Sequence, residues 1–367
     1  MFSSQPSEVS LEAPCRCVTA LKTDRTENRF LAGTWSPHSG DNQLALLHYH
    51  AEDNDLTIAA RLPHEAGPIK AIETSPMDRS LVLTVPDEST EAIVWRLSMT
   101  LWDDDDDATE TMEEMERLSS TNVISDVAWR DGSEEPSSGD VAVVDRQGSV
   151  SRWDVEVGTA TSVRTDASSS NTIKRHPSFE PRLSWDPHHP DALAVSRNNT
   201  QIAILDWRTD TSIPTGTCDH WRAHRFAVTD LDYNPNKPYV LTSCGEDGLV
   251  QFWDTRQTRR PTLAARGGHS HWVTSVQYNP FHDQLVLSTG TDSLANLWRP
   301  SSISSAPLLT LADQGAPDVK VTSYDQGESI YAAAWSASDA WMYLTLSFDG
   351  RAVLQHVPSK EKYKILL

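Results

Sequence analysis

His224, Ser243 and Asp247 are the residue types of a hydrolytic triad: an imidazole base, a hydroxyl nucleophile and a carboxylate that orients the base. Chemistry of that kind needs an exposed serine beside an oxyanion hole. The sequence instead repeats the set. His269, Ser288 and Asp292 follow 45 residues on, with Trp253 and Trp298 closing the two runs. Two copies of a catalytic machine in adjacent stretches argue for a recurring structural part. Metal chemistry is no better served. Cys15 and Cys17 of CRC project to one face of a strand, which suits packing, and Cys218 and Cys244 stand alone. No second C-x-x-C or paired histidine completes a zinc set, and His188-His189 fall in WDPHHPDA, read as a turn. Neither G-x-x-x-x-G-K-[ST] nor G-x-G-x-x-G occurs to cradle phosphates. The expectation is a non-enzyme with no catalytic residue, no metal and no cofactor.

Composition narrows the class further. With 52 acidic against 31 basic side chains the net charge is −21, which repels phosphate backbones and disfavours nucleic acid as a partner. Four cysteines among 367 residues make no disulfide scaffold and point to a reducing compartment. No apolar run approaches the ~18 residues of a membrane span. The opening MFSSQPSEVSLEAP lacks the basic and apolar regions of a secretory signal. Asp103 to Asp107, with Glu110, Glu113, Glu114 and Glu116, read as a solvated acidic loop, the sharper alternative being a handle for a basic partner.

The elements that must position these residues show in the tryptophans, 13 against 8 Tyr and 7 Phe. Trp95, Trp153, Trp207, Trp253 and Trp298 each end a short β-rich run, at spacings of 58, 54, 46 and 45. The shortest intervals are the length of a four-stranded propeller blade. The clearest units are 223–256, in which VTDLDYN, YVLTSC and LVQFWD read as strands with a GEDG turn before the last, and 268–299, which repeats the scheme. The fold class expected is all-β, one seven-bladed propeller over 15–367, after a flexible N-terminus at 1–14. An acidic insertion is expected at 101–117, where 108–120 carries only a weak helical stripe, and polar loops at 131–140, 161–180 and 301–328. The terminal Ile365, Leu366 and Leu367 are expected as the outermost strand of the seventh blade, since apolar side chains favour burial.

The two aligned units resemble the WD40 repeat. That resemblance implies a buried hydrogen-bond network of His224, Ser243, Asp247 and Trp253, repeated by His269, Ser288, Asp292 and Trp298. WDTR, from Trp253 to Arg256, also matches the short WDxR pattern of cullin-4 ligase substrate receptors, which makes Arg256 an alternative ligase-adaptor contact.

Longer runs carry a more specific resemblance. DLDYNPNKPYVLTSCGEDGLVQFWDTR, HSHWVTSVQYNPFHDQLVLSTGTDS and ESIYAAAWSASDAWMYLTLSFDGRAVLQHVPSKEKYKILL are similar to the EARP-and-GARP-complex-interacting protein family, as are RFLAGT, HEAGPIKAIETSPMDRS and AIVWR earlier in the chain. The resemblance implies an adaptor, monomeric by itself, for tethering complexes of endosomal recycling and endosome-to-Golgi retrograde transport. It implies a cytoplasmic protein associated with the trans-Golgi network and endosomes, touching membranes only through its partners. Aromatic and arginine side chains dominate interface hot spots. The candidate partner-binding residues are therefore Trp221, Arg222, Arg225, Phe226, His271 and Trp272, in the loops entering the fifth and sixth blades. Histone binding, common among acidic propellers, is the third reading.

Overall fold

In the computed structural model the described residues are 6–98, 111–130, 139–156, 159–166, 180–208, 220–307 and 317–366. Their strands run, in chain order, β1 (Ser7–Ser10), β2 (Cys15–Ala20), β3 (Asn28–Thr34), β4 (Gln43–His50), β5 (Asp55–Pro63), β6 (Ile69–Thr74), β7 (Leu81–Pro86) and β8 (Glu91–Leu97). Next come β9 (Met112–Ser119), β10 (Ile124–Trp129), β11 (Asp140–Asp145), β12 (Val150–Glu156), β13 (Thr159–Asp166), β14 (Leu183–Trp185), β15 (Ala192–Arg197), β16 (Gln201–Asp206) and β17 (His220–Arg222). The remainder are β18 (Val228–Tyr233), β19 (Val240–Gly245), β20 (Val250–Asp254), β21 (Leu263–Ala265), β22 (Val273–Tyr278), β23 (Val286–Gly290), β24 (Leu294–Arg299), β25 (Val319–Asp325), β26 (Ile330–Trp335), β27 (Met342–Ser347) and β28 (Arg351–His356). A helix, α1 (Ser359–Leu366), follows.

These strands pair into seven four-stranded sheets, six of them in plain chain order from β2–β5 to β22–β25, and the seventh in the order β1-β28-β27-β26. The chain divides into two compact units, 1–165 with 334–356, and 166–333 with 357–367. In the second unit, apolar side chains fill the space between neighbouring sheets. Trp221, Leu231, Leu241 and Trp253 pack between the fourth and fifth sheets, and Phe252, Val273, Tyr278 and Trp298 between the fifth and sixth. Polar contacts register the same pair. Asp230 accepts from Ser275 Oγ (2.8 Å) and Val276 N (3.0 Å), and Asp232 accepts from Tyr278 N (2.8 Å).

Four segments differ from expectation. Ser7–Ser10 is a strand, where a flexible N-terminus was expected: β1 runs antiparallel to β28, with Ser7 opposite Leu354 and Ser10 opposite Arg351. The terminal residues therefore do not supply that strand. Pro358 precedes a helix instead, whose Glu361 is buried in an ion pair with Arg299 and a second with Lys364 (2.5 Å), leaving Leu366 exposed. Leu367, Asp103 to Asp107 and Glu110 lie outside the described residues. Residues 112–117 belong to β9, the fourth strand of the second sheet, with Glu114 opposite Trp95. Lastly, parts of the expected polar loops are strand: Asp140 opens β11, 161–166 lie in β13 and 319–325 in β25.

Candidate functional site

His269, Ser288, Asp292 and Trp298 form one hydrogen-bond chain. The His269 ring nitrogens lie 3.0 Å from Asp292 Oδ1 and 2.8 Å from Ser288 Oγ, and Trp298 Nε1 donates to the same Oγ at 2.8 Å. His224, Asp247, Ser243 and Trp253 repeat it at 2.9, 2.8 and 2.9 Å. Both imidazole side chains are fully buried and Ser243 and Ser288 are 0% exposed, so neither hydroxyl is offered to a substrate.

Burial sets the protonation. It lowers the His269 pKa, outweighing the hydrogen bond and charge of Asp292, which raise it. A neutral His269 therefore donates Nδ1–H to Asp292 and accepts at Nε2 from Ser288. Burial alone would raise the Asp292 pKa, but the bonds from His269 and the Ser270 backbone bring it below the usual carboxylate range.

A third copy was missed in the sequence. His64 Nε2 lies 3.0 Å from Thr84 Oγ1, which accepts from Trp95 Nε1 at 2.7 Å, and the Gly67 carbonyl (2.8 Å from Nδ1) stands where the aspartate would be. Burial lowers the His64 pKa as well. An unfolded histidine titrates near 6.5. Below that pH the unfolded chain binds protons that the folded His64 and His269 refuse, so folding stability falls as acidity rises. Melting temperatures measured downward from pH 7.5 should decline once pH passes below about 6.5. His64→Gln and His269→Gln variants should flatten that decline.

These chains also hold the loops between sheets. The second oxygen of Asp247 accepts the Arg225 N–H at 2.9 Å, and that of Asp292 accepts the Ser270 N–H at 2.7 Å. Gly248, at φ +74, brings the fifth-sheet turn against the His271 loop. The positive φ favours glycine there, and a Cβ would add a tight contact, 3.3 Å from the His271 carbonyl. Held in this way, Phe226 (51% exposed) and Trp272 (48% exposed) project into solvent. The Arg225 guanidinium lies over the Phe226 ring at 5.4 Å, and His271 lies 5.2 Å from the Trp272 ring while bonding Thr291 Oγ1 at 2.5 Å.

The other candidates fall differently. Trp221 belongs to β17 and is buried, with its ring 5.7 Å from Trp253, so it is a core residue and not a surface anchor. Arg222 is exposed and turns back to brace the loop through the carbonyls of His224 and Arg225 (both 3.4 Å). Arg256 sits at the opposite end of the fifth sheet, bonded twice to Asp254 (2.9 and 2.7 Å).

The cysteines and the histidine pair do not converge. Cys15, Cys17 and Cys244 are buried, burial pushes the Cys15 thiol up to about 12, and Cys218 lies outside the described residues. His189 bonds Asp186 (2.9 Å), while His188 reaches the Asn234 carbonyl (3.2 Å). Among the described residues no three His, Cys, Asp or Glu side chains gather as metal ligands, and no helix is long and apolar enough to cross a membrane.

Seven four-stranded antiparallel sheets make this a seven-bladed β-propeller, with exposed Phe226 and Trp272 on loops tied down by Asp247 and Asp292. Residues 5–298 match the family described as EIPR1 beta-propeller, and the chain belongs to that family. It is 32% identical to human "EARP and GARP complex-interacting protein 1" over 400 aligned residues covering all of both chains. Its identity to "EARP-interacting protein 1" of Caenorhabditis elegans is 30%, over 97% of each chain. An Arabidopsis thaliana relative, "WD repeat-containing protein DWA2", is 27% identical over 95% of each.

Proposed function

We propose that this chain is a non-enzymatic adaptor that binds the EARP and GARP tethering complexes and supports their recruitment to endosomal and trans-Golgi membranes, itself reaching the membrane only through them. The observation that carries this reading is the exposure of Phe226 and Trp272 on two loops anchored by the buried side chains of Asp247 and Asp292. An aromatic surface already fixed in place loses little conformational entropy on binding, which is what a stable interface needs. The human relative named for interaction with EARP and GARP, and the Caenorhabditis elegans one named for EARP, supply the partner.

The test is recovery of tethering subunits with the tagged chain from cells. Arg225→Glu combined with Trp272→Ala should cut recovery at least about 30-fold, the effect of losing ~2 kcal/mol at a hot spot. Both side chains are exposed, so the melting temperature should hold. Undiminished recovery places the interface elsewhere. Recovery of a cullin-4 adaptor, lost in Arg256→Ala, would favour the substrate-receptor reading.

A further inference from the structure

The acidic sequence that leads into β9 carries a hydroxyl at its edge. Thr111 stands immediately before the strand, with Glu113, Glu114 and Glu116 at two, three and five residues after it and Glu110 directly before it. It is exposed, and its side chain takes no hydrogen bond among the described residues. β9 is the terminal strand of the second sheet, so its outer edge is unpaired and its backbone extended. Arg117, the one base from 97 to 129, is already bonded to Glu91 (2.7 Å) and to both oxygens of Glu114 (2.7 and 2.9 Å). Thr111 is therefore an accessible hydroxyl with carboxylates on either side of it in the chain.

A cation stands across the sheet from it. The register pairs Arg96 with Glu113 and Leu97 with Met112, and the ladder runs one step further, the Ser98 N–H donating to the Thr111 carbonyl at 3.0 Å. Leu97 and Met112 both turn into the core beside the first sheet. Strand alternation sends Arg96, Glu113 and Thr111 to the opposite face. Arg96 and Thr111 are then diagonal neighbours, about 7–8 Å apart, a gap that a long side chain spans. Arg96 is exposed and has no ion pair among the described residues, although Glu113 lies opposite. A phosphate ester on Thr111 would bring a charge of about −1.5 to −2 and three acceptor oxygens into its reach.

We propose that Thr111 is a phosphorylation site for an acid-directed protein kinase, and that Arg96 receives the phosphate across the β8–β9 pair. In the transfer, Thr111 Oγ1 forms a bond to the γ-phosphorus of ATP and the bond from that phosphorus to the β-phosphate oxygen breaks. ADP leaves, and the hydroxyl proton passes to the kinase's catalytic aspartate. Kinases choose substrates by charge pattern. Carboxylates at Glu113 and Glu114 suit a basic cleft and are repelled by an acidic one. The product sets a dianion beside Glu113, and the Arg96 fork, which takes phosphate oxygens two bonds at a time, offsets that repulsion. The phosphate then ties the start of β9 to β8. This assignment does not rest on the binding of tethering complexes.

The test incubates the full chain with recombinant casein kinase 2, an acid-directed enzyme, and magnesium ATP, and maps the phosphate by mass spectrometry. Phosphate is expected on Thr111 and is lost from that position in Thr111→Ala. Glu113→Lys combined with Glu114→Lys should lower kcat/KM at least tenfold. Both glutamates are exposed and the Glu114–Arg117 pair is a surface one, so the melting temperature should hold. Phosphorus NMR then reads the pair with Arg96. The second phosphate proton, ordinarily lost near pH 6, should leave at a pH lower by at least about 0.5 than in phosphorylated Arg96→Gln. Labelling confined to Thr109 or to other hydroxyls overturns the site, and a rate indifferent to both lysines overturns the acid-directed class. The same titration in Arg96→Gln overturns the role of Arg96.

Discussion

Asp247→Ala should cost about 3 kcal/mol of folding stability and lower the melting temperature by several degrees. The carboxylate is 6% exposed and accepts from His224 Nδ1, the Arg225 N–H and the Leu249 N–H. Burial pushes its pKa up, yet the bonds and charge of His224 and the two backbone N–H groups bring it below the usual carboxylate range, so the ion is stabilised where it sits. Alanine removes all three acceptor bonds and strands a fully buried imidazole. Each bond to a charged group contributes roughly 1.5–3 kcal/mol, and the unpaired donor adds its own desolvation cost. Asp247→Asn should fall between the two, because one oxygen remains to accept while the amide nitrogen opposes the Arg225 N–H. Calorimetric melting distinguishes the cases, and superimposable curves for wild type and Asp247→Ala would reject the buried network. Asp292→Ala should behave alike, because the sixth sheet carries the same bonds.

The contrast between legible and hidden features follows from locality. The fifth and sixth sheets could be read because their strands alternate with a period of two, and in the fifth a glycine, Gly248, stands where the turn needs positive φ, a place that Ser293 takes in the sixth. β9 could not be read this way. A register shift opposite Val94 and Trp95 places Met112 in one inter-sheet core and Met115 and Leu118 in the next, so apolar residues three apart imitate a helix. The His64 chain hid behind two substitutions, Thr84 for serine and the Gly67 carbonyl for aspartate. Trp221 and Trp272 are alike in type and in place before a loop or strand. Only packing against Trp253 separates the core residue from the surface one.

Most distant from local signals is β1, and its removal should be the most damaging truncation of the chain. SEVS carries little strand propensity of its own, and its partner lies at the far end of the sequence. Yet Ser7 is buried and its Oγ accepts the Leu56 N–H at 2.9 Å, tying the strand to the first sheet while Val9 pairs with Ala352. The next residue in, Leu11, is 1% exposed and donates its N–H to the Gly350 carbonyl at 2.9 Å. Deleting residues 1–10 uncovers β28, whose Ala352, Val353 and Leu354 are 0% exposed, and turns a paired strand into an apolar edge. Lost ladder bonds at about 1 kcal/mol each, with newly wetted apolar area, should remove about 4 kcal/mol or more and favour edge-to-edge association. Size-exclusion chromatography should then show oligomers, and the melting transition should fall and broaden. A synthetic peptide spanning residues 1–12 should restore the elution volume of the full-length chain by strand addition. A truncated chain that elutes and melts with the full-length protein would show that the seventh sheet does not depend on its fourth strand.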